Sequence, residues 1–147
     1  MREAARVLAR LNADQRLAVA GVAVIAASLP LPWWRAPADR SLVVTGIGDF
    51  GFVEGALVLT AIMALLLVLR VGAGHVPPRP LRQWGLLVVA GVWAVVIVGY
   101  RMFDRPEFTL GDTDEPYDLG YGIILALAGA ALIAVAGLRL REPDRRD

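Results

Sequence analysis

Four stretches of the chain, 17–34, 52–69, 84–100 and 119–138, contain no charged residue other than Glu54. Polar positions gather in the blocks between them and do not recur at helical or strand spacing within them. A helix rises about 1.5 Å per residue, so roughly 20 residues cross a hydrocarbon core about 30 Å thick. The four stretches have that length or slightly less. They are apolar on every side, whereas a helix on a soluble core keeps a polar face. The pattern predicts an all-α fold, an integral membrane four-helix bundle. Residues 1–16 form an Arg-rich amphipathic cytoplasmic segment, 17–138 the four-transmembrane-helix domain, and 139–147 a charged cytoplasmic tail.

The connections carry stop and turn signals. Pro30 and Pro32 fall in the last turn of the first span, and "HVPPRP" (75–80) breaks any helix between the second and third. Trp33 and Trp34, Gln83 and Trp84, and Tyr100 with Arg101 sit at span ends, where aromatic belts and snorkelling cations belong. Trp93 lies near mid-span and reads as a packing residue. "SLVVT" (41–45) and "EFTL" (107–110) are rich in strand formers and predict a small β pair in the outer loops. "TGIGDFG" (45–51) lacks both the GxGxxG spacing and a P-loop Lys, and reads as a flexible entry to the second span.

Composition narrows the class. With 147 residues, 57% of them hydrophobic, and a mean hydropathy of +0.59, the chain is one domain of membrane type. No Cys is present, which removes disulfides, thiolate metal sites and thiol nucleophiles. One His, His75, is too few for bis-His haem or a His-built zinc site. No cofactor is implied, no nucleic-acid partner is expected, and the lipid bilayer is the one partner that the pattern requires.

All fifteen basic residues are Arg, and eleven lie in the N-terminal segment, the middle loop and the tail, which share one side. Positive residues stay cytoplasmic, so both termini face inward across the plasma membrane. In the first segment Ala4, Val7, Leu8 and Leu11 share a helical face away from Arg2, Arg6 and Arg10, which suits an anionic lipid surface or a topology anchor. The alternative of a cleaved signal peptide ending at "APA" (36–38) meets an apolar run longer than an h-region.

Candidate chemistry is sparse. "GDTDEPYD" (111–118) offers Asp112, Asp114, Glu115 and Asp118 as a weak metal cluster. Read as a calcium loop from Asp112, it places Pro116, Tyr117 and Ile123 where an oxygen ligand, Gly and Glu are needed. Solvation explains it better: residues 101–118 hold two Arg against six acids, and Asp118 stands where it would cap the fourth helix. Glu54 is the one acid within a span, at its third residue, with Arg35 and Arg101 ending on the same side as ion-pair partners. An intramembrane acid is also a candidate coupling group. Gly122, Ala126, Ala130 and Ala134 form a small-residue stripe suited to close packing inside the bundle, with homo-oligomerisation left open.

"LPLPWW", "TGIGDFGF", "YRMFDRP" and "DLGYG" at the span boundaries resemble uncharacterised small four-span integral membrane proteins of high-GC actinobacteria. The resemblance implies an inner-membrane location and a four-helix layout, and no activity. Two functions stay open. One is a non-enzymatic accessory or interaction protein that contacts a protein partner through its outer loops, 35–51 and 101–118. The other is a small, dimeric transporter or channel with Glu54 as coupling acid. An enzyme is disfavoured, because the spans offer Ser28, Thr60 and Glu54 without a partner base.

Overall fold

The computed structural model describes residues 9–36, 42–48, 51–75, 82–105, 107–110 and 113–141, with the backbone alone for 107–110 and 113–116. Four helices dominate: α1 (Ala13–Ser28), α2 (Phe52–Gly72), α3 (Gln83–Phe103) and α4 (Tyr121–Arg141). α2, α3 and α4 are each 21 residues and are apolar enough to cross a membrane. α1 has 16 residues, about 24 Å of helix. α4 packs along both α1 and α3, while α2 completes the ring with lighter contacts to the same two helices.

Local chemistry sets the helix ends. Asn12 caps α1: its side chain accepts from the Gln15 N–H at 2.7 Å, and the Gln15 side chain accepts from the Asn12 N–H at 3.1 Å, a reciprocal capping box. α1 therefore begins before position 17, and Gln15 belongs to the bundle, donating to Gln83 of α3 at 3.3 Å. At the far end of α2, Gly74 adopts a φ of 91°. The His75 N–H then reaches Arg70 O at 3.0 Å and the Gly74 N–H reaches Val71 O at 2.9 Å, the paired bonds of a Schellman stop.

The first span departs most from expectation. Its helix ends at Ser28, and residues predicted to complete it form β1 (Pro32–Arg35). Pro32 has no N–H and biases Leu31 toward extended backbone, so the chain enters a strand, with Pro tolerated at its first residue. Four further strands follow: β2 (Val43–Thr45), β3 (Glu107–Leu110), β4 (Thr113–Pro116) and β5 (Asp118–Leu119). Among the described residues, the expected pairing of "SLVVT" with "EFTL" does not occur. β1 is instead the centre of an antiparallel sheet of order β2-β1-β5, and β3 pairs only with β4. The β1–β2 and β3–β4 pairs join neighbours in sequence, and closing a short connection costs less chain entropy than closing a long one. β5 adds the long-range pairing, with Trp34 opposite Leu119 and Arg35 opposite Asp118.

Close helix contact rests on glycine. A Cβ at Gly129 would stand 2.7 Å from Gly21 O, and one at Gly137 would stand 2.7 Å from Val88 N. The predicted stripe does face the interior at Gly122, Ala126 and Ala130, while Gly129 brings α4 close to α1, and Gly91 of α3, set directly against the Ala134 backbone, together with Gly137 brings α4 close to α3. Trp93 is 49% exposed and is no core residue: it stands on the α2 side of α3.

Candidate functional site

The strand-capped end of the bundle holds Glu54, the one buried acid among the described residues. α2 begins at Phe52 behind Gly51, which has no side chain to cap it. Glu54, the third residue, supplies the other half of a capping arrangement: its Oε2 accepts the Gly51 N–H at 2.9 Å. A carboxylate in the first turn also opposes the positive end of the helix dipole. Its Oε1 accepts from Arg101 Nε at 2.9 Å, and the two side chains are 2% and 11% exposed. Arg101 sits in the last turn of α3, where a cation meets the negative end of that dipole.

β1 covers this pair. The Arg101 guanidinium lies 5.5 Å from the Trp34 ring centroid, within cation–π range, and donates to Asp104 O at 2.8 Å. Arg35 takes a different course, its guanidinium 5.0 Å from the Tyr121 ring centroid. Of the two Arg that end beside Glu54 in sequence, Arg101 forms the ion pair.

The two Trp expected at a membrane interface are instead fully enclosed. Trp33 Nε1–H donates to Ser28 O at 2.9 Å, which satisfies the indole at a carbonyl at the end of α1 that also accepts the Leu31 N–H at 3.1 Å. The Gly120 N–H closes on Trp33 O at 2.7 Å. A side chain at Gly122 would run into the Trp33 indole at 2.7 Å. Trp33 thus joins α1 to α4, and Trp34 joins the sheet to the Glu54–Arg101 pair.

No known protein family, curated protein or solved structure matches this chain.

The acidic stretch fits this frame only in part. Asp118 is exposed and lies in β5, with α4 starting at Tyr121, so it is a strand residue and not the cap of the fourth helix. Leu119 and Gly120 intervene because β5 must first pair with β1. Asp112 lies outside the described residues, as do the side chains of Asp114 and Glu115. Among the described residues no three His, Asp or Glu side chains stand together as metal ligands. Sequence reasoning missed Gly51, Trp34 and Asp104 as parts of this site. A Gly followed three residues later by Glu at the start of an apolar run was the available signal for the first.

Proposed function

We propose that the chain is a four-span plasma-membrane protein with both termini cytoplasmic, and that its role is non-enzymatic: an accessory or interaction protein that presents its strand-capped, acidic end to a protein partner. The occupancy of Glu54 carries this reading. One carboxylate oxygen holds the Gly51 N–H and the other holds Arg101 Nε, which suits a structural tie between the start of α2 and the end of α3. Charge supports the orientation. Arg10, Arg16, Arg70, Arg82, Arg139 and Arg141 lie at the termini end of the helices, against Arg35, Arg101 and Arg105 at the strand end. α1 serves as the fourth span together with the turn and β1 that follow it.

The partner is tested by mild cross-linking in native membranes, affinity purification and mass spectrometry. A stoichiometric protein partner should be retained by the native chain and by Asp14→Asn, and lost when Asp112, Asp114, Glu115 and Asp118 are neutralised together. Solute flux in liposomes that disappears in Glu54→Gln would replace this reading with a transporter. Because the chain has no Cys, single replacements Ile47→Cys and His75→Cys report topology. Ile47→Cys should react with an impermeant maleimide on intact cells, and His75→Cys only after permeabilisation.

A further inference from the structure

α2 and α3 do not close on one another along their length. A groove of about 340 Å³ lies between them, walled by Leu59, Met63 and Leu67 of α2 and by Leu86, Val89 and Trp93 of α3. The small side chains of Ala64 and Ala90 leave the space, and the Thr60 hydroxyl is turned away into a bond with Ala56 O at 2.7 Å. Leu59, Met63, Val89 and Trp93 are all exposed, so the groove opens to the periphery of the bundle. From Leu67 to Leu59 it runs about 12 Å along the axis, most of the depth of one leaflet at about 15 Å.

Its mouth has a sign. One turn beyond Leu67, in the last turn of α2, stands Arg70, and one turn before Leu86 stands Arg82, the residue that precedes α3; both are exposed. An apolar slot with two guanidinium groups at its rim matches the two halves of an anionic lipid. A transmembrane helix of a partner would need an acid placed at that height, whereas an anionic phospholipid carries its phosphate there by construction. We infer that the α2–α3 groove seats one acyl chain of an anionic phospholipid whose phosphate is held by Arg70 and Arg82. The inference rests on the reading of this chain as membrane-spanning.

Native mass spectrometry of the detergent-purified protein, titrated with phosphatidylglycerol and with phosphatidylcholine of the same chains, tests it. One phosphatidylglycerol should be retained at least tenfold more tightly. Arg70→Gln and Arg82→Gln should each weaken retention roughly fivefold, as expected for one basic contact to an anionic headgroup. Ala90→Phe, which fills the slot and keeps both Arg, should abolish the saturable site; Val89→Trp on the exposed wall is the second variant should Ala90→Phe not fold. Equal retention of the two lipids overturns the proposal. Unchanged phosphatidylglycerol binding in the filled variants does so too, by reducing the effect to headgroup adsorption. A dimer split by Ala90→Phe would assign the groove to a second copy of the chain instead. Release of the protein from membranes by alkaline carbonate overturns the spanning reading itself, and the lipid seat with it.

Discussion

Replacing Arg101 by Met removes the cation that faces both Glu54 and the Trp34 ring and keeps an unbranched side chain in its place. At the 2.9 Å separation of Nε and Oε1 and an effective dielectric of about 20, the Coulomb attraction is about 6 kcal/mol, and desolvation of the two charges offsets several of these. The net value of the pair is therefore small, yet the cost of breaking it is large. Met at 101 leaves a carboxylate that is 2% exposed with the Gly51 N–H as its remaining bond described here. The single replacement should lower stability by about 3–5 kcal/mol, while Glu54→Leu combined with Arg101→Met should recover most of that loss. Unfolding of the detergent-solubilised protein in rising dodecyl sulfate, followed by Trp fluorescence, measures both. The reasoning fails if Arg101→Met costs less than about 1 kcal/mol, the range of an exposed pair, or if the double variant merely sums the two single losses.

Four further expectations use the same assay. Gly129→Ala should destabilise by about 1–3 kcal/mol, because its Cβ would meet Gly21 O at 2.7 Å. Gly99→Ala, with nothing within 4 Å of the new carbon, should be neutral or gain up to about 1 kcal/mol. Trp33→Phe removes one of two donors to Ser28 O, the Leu31 N–H remaining, and should cost about 0.5–1.5 kcal/mol, read also as loss of the enclosed indole's blue-shifted emission. Asp14→Asn breaks the ion pair to Arg139 at 3.0 Å, but Arg139 is 61% exposed, so the loss should stay below about 1 kcal/mol.

The long helices were legible because an unbroken apolar run has few alternatives. α2 and α3 fall on the predicted spans with up to three residues added at the ends, and α4 is displaced toward the C-terminus, running 121–141 against the predicted 119–138, because Leu119 belongs to β5. The strand-capped end was not legible, for two physical reasons. A Trp pair at a span boundary has the same composition whether it floats at an interface or fills a lid, and only the Ser28 carbonyl and Gly122 opposite it decide. The partner of β1 lies just before α4, and no local pattern announces a two-residue strand such as β5. Asp118 misled for a related reason: an acid before a helix usually caps it, but here strand pairing claims the position. Glu54 was recognised as the acid to explain, and its shallow depth already pointed to an end-of-helix role. The choice between Arg35 and Arg101 needed the fold, since both end on the same side.

The pairing of β1 with β5 also orders events in the life of the chain. β1 follows the first helix, and β5 directly precedes the fourth, so a ribosome delivers one long before the other. Until β5 and α4 are made, the Gly120 N–H has not reached Trp33 O, and Gly122 is not there to wall in the indole. Trp34 already has Arg101 of α3 against its ring, and Trp33 already has Gly46 beside it. The end of the bundle is thus assembled in two instalments, and the second waits for the last helix.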